Sequence, residues 1–183
     1  MSDADAVVFD TGPLRHFTLR GWLGVLKFLT NGRAVLIPET VEDELKRQSH
    51  GEPVLQQVLQ ADWITVDRST DIAFLAAFAR YENRLVVDGN NVGECGVLAL
   101  GSTCGYELVL DDATPRRIAQ DEGLRVTATL PLLCEAIRAK QLTVPLVEAL
   151  ADDLIIGTYY LPFQPGEFRR WALEHGLLDY DEI

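Results

Sequence analysis

The stretch AVVFDTGPL, residues 6–14, puts one carboxylate, Asp10, behind an apolar run and just ahead of a Gly-Pro pair. Acids recur in comparable settings further along: VEDEL carries Glu42, Asp43 and Glu44, GECGVLALG carries Glu94, and YELVLDD ends in Asp111 and Asp112. Carboxylates brought together from separate segments make a site for hard divalent cations, which prefer oxygen ligands and keep several waters. A cation so held lowers the pKa of a bound water and stabilises a leaving oxygen, the chemistry of metal-assisted hydrolysis. His16, His50 and His175 show no metal-ligand spacing, and Cys95, Cys104 and Cys134 form no C-x-x-C, so zinc is disfavoured.

Asp-Thr-Gly is also how an aspartic protease loop reads. That chemistry needs a second Asp on a like motif to share a proton, in an all-β chain, and neither is present. A phosphotransferase of the haloacid dehalogenase type wants a second Asp two residues on, where Gly12 stands.

The elements that would position these acids follow from periodicity. Residues 6–10 read as a buried strand, and a helical pattern then runs from Gly12-Pro13 through LRHFTLRGWLGVLKFL. AVLIP (34–38) is a second strand followed by the helix PETVEDELKRQ, and a further helix lies near Pro53–Leu59. WITVD (63–67) reads as a short edge strand, and STDIAFLAAFARY (69–81) as a helix capped by its Ser. Residues 82–93 are rich in turn formers. ECGVLALGSTC is helical, YELVLDD (106–112) is a strand, ATPRRIAQDEG a helix and LRVTAT a short strand. Helices at 130–140 and 144–153 and a tail, IIGTYYLP then PGEFRRWALEHG, complete the chain. Strands that are continuous apolar runs alternating with helices predict an α/β fold, a mainly parallel sheet covered on both faces.

The 183 residues, 48% hydrophobic, suit a single domain, with a core at 6–142 and a helical C-terminal extension at 143–183. No apolar run is long enough to cross a bilayer, and the start MSDADA is acidic where a signal peptide would be basic, so a cytoplasmic protein with no membrane partner is expected. The three cysteines read as buried apolar residues of a reducing compartment. A net charge of -12 argues against a broad electrostatic grip on nucleic acid but leaves room for an acid-lined cleft.

Each acid also has a purely structural explanation. Glu94 favours the positive end of its helix, Glu44 can pair with Arg47 three residues on, and Asp112 can cap ATPRRIA. On the helix of VEDEL, with Val41 and Leu45 marking the buried stripe, Asp43 points away, whereas Glu42 and Glu44 lie equally near the stripe's edges. Asp10 resists such treatment, because a carboxylate after four apolar strand residues is partly buried and needs a partner or a cation. Its alternative is a helix cap, supported by Thr11.

VVFDTGPL, IPETVEDEL, GECGVLALG and ELVLDDATPRRIAQDEGLRVTATLPLLCEA resemble, in order and spacing, the PIN-domain proteins whose motifs read D-T-S-P-L, P-x-x-V-x-x-E-L, G-E-A-x-A-x-x-L-A and L-D-D-x-x-A-R. The resemblance covers residues 6 to about 142. It implies a three-layer α/β/α sandwich whose clustered acids bind Mg²⁺ or Mn²⁺ and hydrolyse RNA, leaving 5′-phosphate and 3′-hydroxyl ends. Motif by motif it assigns Asp10, Glu44, Glu94 and Asp111 as catalytic metal ligands, with Asp112 assisting, and so selects Glu44 over Glu42. Thr11 and Arg116, with Arg117, are the candidates for substrate contact.

Gly12 departs from the pattern where Ser is frequent, Cys95 and Gly96 replace small Ala-like residues, and Pro115 stands where Ala is usual. None of these removes a carboxylate. The leading expectation is a metal-dependent endoribonuclease, with the toxin of a toxin–antitoxin pair as its biological setting and an antitoxin protein as partner. A PIN-like protein-binding module of weak catalysis is the alternative. The Tyr159-Tyr160 pair and Trp171 are expected to pack, with a homodimer contact as one use for them, rather than to stack on bases.

Overall fold

Apolar triplets too short to form helices become the strands of one parallel sheet. In the computed structural model, which describes residues 6–87 and 89–182, these are β1 (Val7–Phe9), β2 (Val35–Pro38), β3 (Ile64–Asp67), β4 (Glu107–Val109) and β5 (Val126–Thr127). Their order is β3-β2-β1-β4-β5, all parallel, with Val8 registered between Leu36 and Leu108. Successive strand residues point to opposite faces, yet Val7, Val8 and Phe9 are all buried, as are Leu108, Val109 and Leu110. Both faces of the sheet are therefore covered, as the apolar runs predicted. The parallel edge strands β3 and β5 are only half-buried.

The helices among the described residues are α1 (Thr11–Leu19), α2 (Leu23–Leu29), α3 (Glu39–Ser49), α4 (Gln56–Leu59), α5 (Ile72–Leu85), α6 (Val92–Cys104), α7 (Ala113–Asp121), α8 (Thr129–Arg138), α9 (Val144–Ile156) and α10 (Phe168–Glu174). Two details differ from the periodicity. The long helix expected after Pro13 is broken into α1 and α2, because Gly21 takes φ +78°, a left-handed turn that ends the first helix. The cap of α5 is Asp71, whose carboxylate accepts from the N–H groups of Ala73 and Phe74, while Ser69 belongs to a turn closed on Asp67. This helix also continues to Leu85, through residues whose turn-forming composition suggested a break.

The last third of the chain is tied to the start. Asp153 of α9 accepts from the Arg20 guanidinium and, at 2.8 Å, from Trp22 Nε1. Cys95 and Cys134 are buried, and burial pushes their thiols up to about 11 and about 12, so both are inert. Cys104 is exposed, against expectation, since it closes the last turn of α6 where the helix leaves the core. No helix among the described residues is long and apolar enough to cross a membrane. Residues 1–5 of the acidic N-terminal run lie outside the described residues.

Candidate functional site

The order in which strands are added reverses at the β1–β4 boundary: β2 and β3 lie on one side of β1, β4 and β5 on the other. Parallel α/β sheets open a crevice at such a point, beyond the carboxyl ends of the strands. Asp10 follows β1 there, and Asp111 and Asp112 follow β4, with the Asp10 N–H donating to Val109 O at 3.3 Å. The crevice is thus built by the two central strands.

Asp10 is 5% exposed, and its Oδ1 is buried without a hydrogen-bond partner. It occupies the N-cap position of α1, but its side chain makes no capping bond, so the helix-cap explanation is not the one realised. Burial drives its carboxyl well above the usual range. The neighbouring carboxylate of Glu94 adds to the rise, the Thr11 backbone N–H opposes it, and Glu44 and Asp112 push it up further. Glu94, 9% exposed in the first turn of α6, is raised by burial and by Glu44 and Asp112, with its own backbone N–H acting against them. Asp10 and Glu94 therefore both feel the carboxylates of Glu44 and Asp112, and Asp10 that of Glu94 as well.

Glu44 is separated from Glu42 by its partners. Burial alone would raise Glu42, but hydrogen bonds from Lys46 and Arg68 outweigh it and hold the carboxyl below its ordinary value. Glu44 instead accepts from Thr11 Oγ1 at 2.7 Å and from Gln48 Nε2 at 3.2 Å. The helical wheel left the two equivalent; the cations standing beside Glu42 distinguish them. Asp43 is exposed, as its position on α3 predicted. Thr11, expected at the substrate, spends its hydroxyl on Glu44.

The aspartate pair also divides. Asp111 Oδ1 accepts from the Thr129 N–H at 2.7 Å, and Oδ2 accepts from the hydroxyls of Thr129 and Tyr159. Both oxygens are committed to the start of α8 and to the C-terminal segment, and Asp111 is absent from the charges that act on Asp10 and Glu94. The fourth acid in electrostatic contact with those two is Asp112, exposed and free of a side-chain cap bond. Asp111, expected to lead with Asp112 assisting, is thus engaged by an N-terminal helix amide and two hydroxyls, while Asp112 carries no side-chain cap bond.

Arg116 Nη1 donates to the carbonyls of Leu110 at 3.1 Å and Asp111 at 2.6 Å, bracing the turn from β4 into α7. Most other arginines are paired with acids away from the crevice: Arg15 with Glu52, Arg33 with Glu107, Arg68 with Glu39 and Glu42, Arg80 and Arg84 with Glu122. The net charge of -12 accordingly leaves little basic field over the site.

Three residues of this arrangement were given no role at the site from the sequence. Thr129 and Tyr159 hold Asp111, and Tyr159 stacks on His16 with ring centroids 4.4 Å apart. Burial, then Asp111, raise the Tyr159 hydroxyl well above its ordinary value, so it stays a donor. Gly93 is the third. A Cβ there would sit 2.9 Å from Glu44 Oε2 and 3.4 Å from Thr11 Oγ1, so its bare backbone lets α6 approach α3. The Gly of the Gly-Glu pair could have shown this one.

Two clefts flank the acids. One, about 350 Å³, is polar and lined by Glu44, Arg47, Gln48, Asn90 and Asn91. The other, about 760 Å³, starts at Asp111 and Asp112 and runs between α7, the start of α8 and the C-terminal segment.

Among the described residues, no group of three or more His, Cys, Asp or Glu is already spaced to hold a metal ion. The donors nevertheless suit one: all are hard oxygens, the innermost has an unpartnered buried atom, and among the described residues the charges that act on Asp10 are all carboxylates. The family described as DUF3368, a PIN domain, matches residues 6–164. No curated protein and no solved structure matches the chain.

Proposed function

The chain belongs to the PIN-domain family, whose fold is of nuclease type, and on that premise we propose that it is a metal-dependent endoribonuclease. One observation carries the reading: Asp10, buried at the switch point of the sheet with an unpartnered Oδ1, is crowded by three further carboxylates. A protein gains nothing in stability from such crowding. It becomes favourable when a cation is shared.

Asp10, Glu44, Glu94 and Asp112 are the residues that would hold Mg²⁺ or Mn²⁺. When bound, the ion supplies a water of lowered pKa and a counter-charge for the leaving oxygen. The chain's own groups prepare the place. Thr11 and Gln48 fix the Glu44 carboxylate between them, Gly93 lets Glu94 close on it, and Asp111 anchors the strand end so that Asp112 faces the acids. Arg47 and Arg117, exposed and outside the ion pairs described, are available to substrate phosphate.

A role as the toxin of a toxin–antitoxin pair fits the size and family of the chain. A second reading, a PIN-like module acting through protein contacts, draws on α5, where Ile72 is 87% and Leu75 52% exposed. That face would meet an antitoxin or a second copy. Cleavage of an RNA panel with Mg²⁺ or Mn²⁺, by wild type and by Asp10→Asn, separates the readings. Divalent-dependent cleavage lost in the variant is expected; no cleavage by wild type with either ion would leave only the protein-contact module.

A further inference from the structure

We infer that the larger cleft is a nucleobase subsite, taking an unpaired base next to the phosphate that is cut. This deepens, and rests on, the nuclease reading. Asp112, Arg116, Leu130, Tyr160, Trp171 and His175 are among its walls, and Asp112 also belongs to the acid cluster. A strand with its phosphate at those acids has its neighbouring nucleotide at the mouth of the cleft. The volume, about 760 Å³, is that of a small-ligand pocket.

The aromatic side chains give the occupant its chemistry. Phe163, Trp171 and His175 form a ladder, with ring centroids 5.2 Å apart and then 4.7 Å, the latter pair stacked at 28°. His175 ends the ladder at the exposed surface, and its Nδ1 lies 2.8 Å from the carbonyl of Trp171, which orients the ring as donor at that nitrogen. The other ring nitrogen has no partner among the described residues. Tyr160 is 87% exposed at the same cleft, whereas its neighbour Tyr159 is buried on His16. Packing accounts for Tyr159 and leaves Tyr160 unexplained. Flat rings at a surface gain by stacking on another flat ring.

Charge chooses a base over a phosphate as the main contact. Arg116 is the cation of the cleft and spends Nη1 on two carbonyls, while two aspartates share the wall. A protein of net charge -12 draws little affinity from neutralising phosphates, so stacking is the term left to hold a strand. A protein segment in the cleft would have to cover Asp111 and Asp112 as well.

The test follows the Trp171 indole N–H by NMR, assigned with Trp171→Phe, as adenosine and uridine 5′-monophosphates are added to the full chain. Ribose 5-phosphate and a leucine-rich amphipathic peptide serve as controls. Either nucleotide should move the Trp171 signal and leave Trp22 and Trp63 in place, and ribose 5-phosphate should move none. In Tyr160→Ala and in His175→Ala, nucleotide Kd and the KM for RNA should rise about tenfold with kcat unchanged. A Trp171 signal indifferent to both nucleotides, or one moved by the peptide alone, overturns the subsite. So does an unaltered KM in both variants while Asp10-dependent cleavage persists, a result that leaves the nuclease reading standing. Nucleotide binding at Trp171 with no cleavage by wild type does the reverse: it supports the subsite and sinks the nuclease.

Discussion

The two flanks of the acid cluster are built on opposite plans. On the α3 side, polar side chains surround Glu44 in a small cleft, and one hydroxyl, that of Thr11, aims the carboxylate. On the α7 side, Asp111 is consumed in holding α8 and Tyr159 together, and the cleft beyond it is aromatic. Adjacent acids therefore need not share a role. Asp111 spends its oxygens on a helix amide and two hydroxyls that join separate elements, whereas Asp10 keeps a buried oxygen with no hydrogen-bond partner among the described residues.

The largest effect expected is on activity at the centre, where the flanks meet. Asp10→Asn and Glu94→Gln should each lower divalent-dependent RNA cleavage by more than the roughly 100-fold that loss of a metal's supporting hydrogen bonds costs. Asp43→Asn, on the exposed face of α3, should leave cleavage near wild type. Equal rates for Asp10→Asn and wild type would dissolve the centre.

The next divides the aspartate pair. Asp112→Asn should depress cleavage strongly with the fold intact, whereas Asp111→Asn should lower unfolding stability by about 1–3 kcal/mol, as loss of hydrogen bonds to a charged group does. Tyr159→Phe should share part of that destabilisation in urea denaturation. If Asp111→Asn were as stable as wild type and inactive, the two roles would have to be exchanged.

Thr11→Val probes the polar flank. Freeing Glu44 from its 2.7 Å bond should slow cleavage about 10- to 100-fold with little change in the melting temperature. Unchanged kinetics would mean that Glu44 needs no aiming.

Smaller still is the dependence of stability on pH without divalent ions. Asp10 and Glu94 bind protons more tightly in the folded chain than at their ordinary values of 3.8 and 4.5. Stability is therefore lost as pH rises from those values towards the raised folded ones, and is level above them. Mg²⁺ or Mn²⁺ should restore it at neutral pH. Asp10→Asn should melt higher than wild type without metal and respond less to it; a thermal scan across pH in EDTA, then with each ion, reads both. Least of all, Gly12→Ser should raise stability by about 0.5 kcal/mol through helix propensity, since a Cβ there meets only Asp10 Oδ2, at 3.9 Å.

Much of the sheet could be read in advance, because buried parallel strands are continuous apolar runs and their ends are marked by Asp or Pro. The errors came where one residue outranked a period: Gly21 broke a helix, and Asp71 displaced Ser69 as a cap. Tyr160 was expected to pack beside Tyr159. Alternation in an irregular segment sends one ring to His16 and the other to solvent, and no periodicity signals that.

Local order along the chain determined which residues are acids at strand and helix ends, and hence that Asp10, Glu94 and the pair at 111–112 lie along one edge of a parallel sheet. Nearest-neighbour rules suffice for that, since strand, turn and helix start are each written in a few consecutive residues. The resemblance favoured Glu44 over Glu42, but what holds Glu42 apart and what engages Asp111 rather than Asp112 only the tertiary structure shows. Those features depend on Arg68, Thr11, Thr129 and Tyr159, each brought to its carboxylate from far along the chain: 26 residues for Arg68 and Glu42, 33 for Thr11 and Glu44, and 18 and 48 for Thr129 and Tyr159 with Asp111. A carboxylate's role is set by the donors that reach it, and here those donors arrive through the packing of other elements.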